Sequence, residues 1–237
     1  MPWCSSPSAR WSSTAPDMAM CVDAALTKAM AGATAEALVA DTDGAMEAVV
    51  AAPINYGYRS QQRSGGGFHL SGTTSLSGTT LIALAKDVVF GLILHGARKI
   101  VLMNGHYENY QFIFEGAELA LEKARENGIR DVKIQLLSYW DFVDDETIEA
   151  LYPDGFTGWD LEHAGVMETS LMLLFHPTRR PGQDRRPAVR GAAGRAAELR
   201  RAAHRARLHA AVGLPVLARG ILAREGGDPA QRRREAH

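Results

Sequence analysis

K-I-V-L-M-N-G-H-Y-E-N, residues 99 to 109, is the stretch on which the reading of this chain turns. Lys99 to Met103 has the length and composition of a buried strand, with Ile100, Val101 and Leu102 forming an apolar run between polar neighbours. Asn104-Gly105 breaks the strand, and a helical pattern begins near Asn109. His106 and Glu108 therefore fall on the loop leaving a strand's C-terminal end, where open α/β sheets collect ligands and catalytic groups. An imidazole and a carboxylate two residues apart can both turn toward one divalent cation, or toward two neighbouring ones. The plainer alternative is a polar turn whose His and Glu cap the next helix.

On either side the chain alternates helix and strand. Residues 81–96 carry apolar side chains at helical spacing (Leu84, Val88, Leu92) and end at His95-Gly96, a C-cap signal. Residues 112–127 form an amphipathic helix stopped by Asn127-Gly128, and residues 132–137 form the next strand, running into S-Y-W-D-F. Strand, helix, strand in this rhythm predicts a parallel sheet covered on both faces. Further upstream, residues 23–52 are Ala-rich and mostly helical in pattern, with a break at Asp41-Thr42-Asp43-Gly44. Residues 49–54 have strand character and enter a polar loop, 55–68, that is too rich in Gly and Ser for regular structure.

Composition bounds the rest. A chain of 237 residues holds one domain of ordinary size, and 46% hydrophobic content suits a globular core. The formal net charge of −1 argues against a polyanion partner for the whole chain. Two cysteines, Cys4 and Cys21, make no disulfide framework, so a cytoplasmic location is expected. No apolar run approaches the ~20 residues that cross a bilayer, and no basic segment followed by an apolar one marks a signal peptide. Three segments differ in character. Residues 1–16 are unlike the middle, residues 17–177 read as the folded α/β domain, and residues 178–237 hold 15 arginines, no lysine and no aromatic residue.

Two more groups carry chemistry. Ser64-Gly65-Gly66-Gly67 can bring backbone N–H groups close to a small ligand, although glycine runs also occur in loops without function. G-W-D-L-E-H-A-G-V-M-E, residues 158–168, puts Trp159, Asp160, His163 and Glu168 within one short stretch. Asp160 and His163 are three apart, a spacing that shares one face of a helix. Taken singly, such a histidine is more often structural and such a tryptophan more often packing. Their combination with His106 and Glu108 favours a site.

Five motifs together resemble creatininase (creatinine amidohydrolase): M-N-G-H-Y-E-N, Y-G-Y-R-S-Q-Q-R-S-G-G-G, G-T-T-S-L, L-S-Y-W-D-F, and G-W-D-L-E-H with V-M-E-T-S-L-M-L. The resemblance runs from about Met18 to Pro177. It implies a three-layer α/β/α fold with a mostly parallel central sheet, a homohexamer, two divalent metal ions (zinc, manganese or both), and reversible hydrolysis of creatinine to creatine. By the same resemblance Asp23 bridges the metals, while His106 and Glu108 bind one each. His163 passes a proton to the departing ring nitrogen, and Glu168 orients or tunes it. Asp160 binds the guanidinium-like edge, and Ser64, Tyr107, Trp140 and Trp159 line or close the pocket, the planar ring resting on tryptophan.

One departure stands out. The family draws two further metal ligands from an E-x-H motif shortly before the bridging Asp, and here that spacing lands on Ser12 and Thr14. Coded with GC-rich codons and read from the third base, residues 3–16 become V-L-L-P-V-G-A-L-E-Q-H-G-P, which contains the missing motif. A similar shift over residues 221–228 yields S-S-R-E-K-G-E, like the family's late segment. Three readings follow. The first is a creatininase-type enzyme whose two ends are out of frame. The second is a non-catalytic pocket or assembly protein of the same fold. The third, and least favoured, is an Arg-rich tail that binds nucleic acid through its charge.

Overall fold

The computed structural model describes residues 22–59, 74–159 and 165–176. Their elements run α1 (Val22–Asp41), α2 (Gly78–Leu94), β1 (Lys99–Asn104), α3 (Tyr110–Glu126), β2 (Lys133–Ser138), α4 (Asp145–Leu151) and α5 (Val166–Phe175). They fall into two compact units: residues 22–23, 54–59, 74–138 and 159 in one, and 24–53, 139–158 and 165–176 in the other.

The first unit is built on the expected strand–helix–strand. β1 and β2 pair in parallel from Lys99↔Lys133 to Asn104↔Ser138. A parallel pair needs a crossover, and α3 supplies it. Ile100 shares its core with Val89, Phe90 and Ile93 of α2 and Ala120 and Ala124 of α3, while Leu102 and Ile134 pack against that cluster. Burial along β1 alternates rather than running unbroken: Ile100 is buried but Val101 is 41% exposed. Successive side chains point to opposite faces, and α2 and α3 pack against the Ile100 face.

Local chemistry ends the helices where the sequence placed their stops. After α2, Gly96 (φ 97°) donates to the Ile93 carbonyl and Ala97 to that of Leu92. After α3, Gly128 (φ 78°) donates to Arg125 and Ile129 to Ala124. Both are the paired bonds of a left-handed glycine terminus, and a side chain at that φ is strained. Arg98 adds a donor to the Ile93 carbonyl at 3.0 Å. Ser77 opens α2 by accepting from the Thr80 N–H at 3.2 Å.

Upstream, α1 stops at the predicted Asp41–Gly44 break, where Asp43 and Gly44 take positive φ. Residues 46–57 are neither helix nor strand, so the helical reading of residues 45–52 and the strand reading of 49–54 are both corrected. Val49 is 99% exposed, and apolar content alone cannot make a strand that has no partner. In the second unit α5 buries six consecutive residues, Met167 to Met172, the polar Glu168, Thr169 and Ser170 among them.

Gly116 lets α3 lie close against α2. A Cβ there would lie 2.7 Å from the Ala85 Cβ and 2.8 Å from the Ile82 carbonyl oxygen. Gly→Ala inside a helix normally stabilises by roughly 0.5–1 kcal/mol. Here the clash is with backbone, and overpacking of this kind costs about 1–3 kcal/mol. Gly116→Ala is therefore expected to lower the urea midpoint, whereas Gly91→Ala, with nothing within 4 Å, should leave it unchanged or raise it.

Candidate metal-binding loop

The parallel register sets where the loop begins. Asn104, the last residue of β1, pairs with Ser138, the last of β2, so Gly105 and His106 leave the sheet at its C-terminal edge. His106 is extended (φ −145°, ψ 128°), then residues Tyr107–Asn109 make one 3-10 turn leading into α3. Neither His106 nor Asn109 makes a side-chain capping bond to the helix it precedes. His106 therefore does not cap the turn that follows it. Asn109 instead accepts from the Tyr58 N–H at 2.7 Å, tying the loop to the segment before residue 60.

His106 is 7% exposed and has a carboxylate on each ring nitrogen. Asp23 Oδ2 lies 3.4 Å from Nδ1, and Glu108 Oε2 lies 2.8 Å from Nε2. Glu108 is 11% exposed and Asp23 34%. Asp23 stands in the first turn of α1, more than eighty positions before His106, so only the fold brings the two together. Imidazole and carboxylate are the donors that zinc and manganese accept. Among the described residues, however, no three His, Cys, Asp or Glu side chains are arranged to hold an ion. The donor chemistry fits a divalent cation, and the donor set is incomplete.

The other predicted residues are placed as follows. Tyr107 follows His106 and is 50% exposed. Trp140 lies in the 3-10 turn Tyr139–Phe142 after β2, edge-on to the Tyr139 ring at 4.8 Å, and belongs to the second unit. Glu168, also in the second unit, is 5% exposed in the first turn of α5. A helix N-terminus favours its negative charge. Trp159 is half-buried in the first unit. Ser64, Asp160 and His163 lie outside the described residues, as do Ser12 and Thr14.

Sequence reasoning missed Asn104 and Ser138 as contributors to this loop. Asn104 is 1% exposed. Its Oδ1 accepts from the His106 N–H at 3.2 Å, and its Nδ2 donates to the His106 carbonyl at 2.8 Å and the Ser138 Oγ at 3.2 Å. The available signal was an amide residue closing an apolar strand immediately before Gly, a place where Asn bonds to backbone two residues on. Reading Asn104 as a strand breaker is corrected as well, since it is the last paired residue of β1.

Known proteins resemble this chain in sequence and in fold. The creatininase family profile, described as creatinine amidohydrolase, matches residues 14–230. A creatinine amidohydrolase of Pseudomonas putida is 58% identical over 131 residues, covering 55% of this chain and 50% of that protein. The chain thus spans about half the length of that relative. Among solved structures, a manganese creatininase superposes with a TM-score of 0.65 at 47% identity, covering 77% of this chain and 69% of that one. A crystal structure of creatinine amidohydrolase gives 0.70 at 38% identity, covering 92% and 86%. A mutant creatininase complexed with creatine gives 0.65 at 47% identity, covering 73% and 65%. The chain belongs to the creatininase family, and its fold is α/β with a parallel sheet.

The two carboxylates around His106 give a direct stability test. His106→Ala removes the imidazole that both carboxylates contact and leaves a cavity between them, for an expected loss of about 1–3 kcal/mol in urea unfolding. Adding Glu108→Gln should recover part of that loss. A double-mutant cycle with no coupling between positions 106 and 108 would contradict the contact.

Proposed function

We propose that this chain is a creatininase-type amidohydrolase by descent, built to open the cyclic amide of creatinine to creatine, and impaired in its present form by the loss of two metal ligands. The observation that carries the reading is the grouping of Asp23 and Glu108 on the two ring nitrogens of His106. Family membership and the relatives named for manganese and creatine support it. In this reading Asp23, His106 and Glu108 are the donors the chain retains for two divalent ions, zinc, manganese or both. Such ions, when bound, would polarise the amide carbonyl and acidify a water.

The remaining steps belong to side chains. Creatinine is a small, planar, weakly electrophilic ring, so it must be held flat and its leaving nitrogen must receive a proton. Trp140 and Trp159 supply faces for the ring, Tyr107 and Ser64 line its edge, and Asp160 pairs with the guanidinium-like side. His163 delivers the proton to the ring nitrogen as the C–N bond breaks, and Glu168 orients it. A homohexameric assembly and a cytoplasmic location go with this reading.

Frame damage at both ends accounts for the missing donors. Superpositions covering 73–77% of the chain hold 45–47% identity, whereas those covering 90–92% hold 38–40%. Lower identity in the wider superpositions is what segments translated out of frame would give. The family match extends to residue 230, which weighs against reading the tail as a separate nucleic-acid arm.

The test is a creatinine assay with added manganese or zinc on three proteins: the present chain, a version with V-L-L-P-V-G-A-L-E-Q-H-G-P in place of residues 4–16 and the C-terminal frame corrected, and that version with His163→Ala. The present chain should bind metal weakly and turn over slowly or not at all, since loss of a direct ligand outweighs any outer support. The corrected protein should be active. His163→Ala should remove most turnover, on the order of 10²-fold or more, with metal content unchanged. Equal activity in the present and corrected chains would overturn the frame argument, and an inactive corrected protein would overturn the creatininase assignment. Two tightly held ions in the present chain would favour a complete site built from other residues.

The tail makes its own prediction. Deleting residues 178–237 should leave thermal stability nearly unchanged if they add little to the core. Binding to DNA that weakens with salt and vanishes on deletion would instead support the nucleic-acid reading.

A further inference from the structure

We infer that Asn104 is the positioning residue of the metal-binding loop, acting through His106 together with Ser138; this rests on the reading of His106 as a metal ligand. The argument begins with what the loop must do. His106 is two residues beyond the end of β1, separated from it by Gly105, so nothing in the strand ladder holds its backbone. A ligand histidine that can swing loses the geometry a metal needs. Asn104 removes that freedom from both sides of the residue. Its Oδ1 accepts the His106 N–H at 3.2 Å, while its Nδ2 donates to the His106 carbonyl at 2.8 Å.

A side-chain amide does both and keeps a second N–H for a further partner, because it carries an acceptor and two donors on one planar group. Asp could accept but not donate, Ser has a single O–H, and Leu, of similar size, has neither. The orientation of the amide follows from its neighbours, since turning it over would set a donor against the His106 N–H and an acceptor against its carbonyl. The second N–H of Asn104 reaches the Ser138 Oγ at 3.2 Å, across the last pair of the β1–β2 register. The His106 loop is thereby referenced to β2 as well as to its own strand. Asn104 is 1% exposed and Ser138 3%, so water offers no ready replacement for either bond.

A merely structural asparagine would lower stability throughout the sheet. A positioning asparagine acts on His106 specifically. The experiment uses the full chain with 15N-labelled histidine and backbone, metal-free and then titrated with manganese alone. Backbone amide exchange, the His106 ring-nitrogen resonances and their paramagnetic broadening by manganese are followed in wild type, Asn104→Ala, Asn104→Asp and Ser138→Ala. In Asn104→Ala the His106 amide should exchange at least about tenfold faster while Ile100 and Leu102 stay protected. The ring resonances should move, and broadening should require about 10–100-fold more manganese, the usual cost of losing an outer partner of a ligand.

Asn104→Asp, which keeps the acceptor for the His106 N–H, should protect that amide better than Asn104→Ala. Ser138→Ala should shift all three readouts the same way by less. If Asn104→Ala does not fold, Asn104→Asp and Ser138→Ala decide the matter by the same measurements. Unchanged His106 signals in the Asn104 variants would overturn the inference, as would equal loss of protection along β1. Wild type showing no manganese broadening at His106 would overturn the metal reading instead, and the amide and ring measurements would still judge the positioning role.

Discussion

A neutral imidazole carries one N–H, yet His106 has a carboxylate oxygen within reach of each ring nitrogen. It can donate to only one of them. A second proton or a shared cation resolves that mismatch, and burial sharpens it because water is excluded from much of the group. The surrounding architecture can be read from this requirement. Asp23 comes from the start of α1, Glu108 from the turn before α3, and His106 from the end of β1. Three separate elements must meet for the arrangement to exist.

The parallel strand pair makes the meeting possible. Because β1 and β2 end in register, the chain leaves the sheet at a defined edge, and the crossover helix must start there. Packing of α2 and α3 over Ile100 holds β1 rigidly enough that a loop two residues beyond it can be placed by three side-chain hydrogen bonds. Gly116 and the glycine termini at Gly96 and Gly128 serve the same end. The first lets two helices come close, and the others turn the chain sharply from helix toward strand. Function in such a fold rests on the loop, while the energy that holds the loop rests in the sheet and its helices.

The chain joins a well-formed centre to ends of a different character. The middle brings Asp23, His106 and Glu108 together, and the two positions proposed to have held further metal ligands carry Ser12 and Thr14. Serine and threonine hydroxyls remain protonated at neutral pH and cannot replace a carboxylate and an imidazole around a dication.

Periodicity and stop signals alone identified α2, β1, α3 and β2, because each has a strong local pattern and the first three have a glycine or asparagine at their end. The same patterns failed over residues 45–54, where Ala and Val composition suggested helix and strand but no partner segment stabilises either. His106 and Glu108 were legible as a pair because they sit two apart on one loop. Asp23 entered the site only through family resemblance, since no spacing rule connects positions so far apart. Tertiary structure alone decided that Asp23 faces the Nδ1 side of His106, and that a buried amide at Asn104 grips the His106 backbone. The physical reason is the same in both cases. Local pattern records what a residue does to its own segment, whereas a carboxylate–imidazole contact or a buried hydrogen bond depends on which segments the packed core brings together.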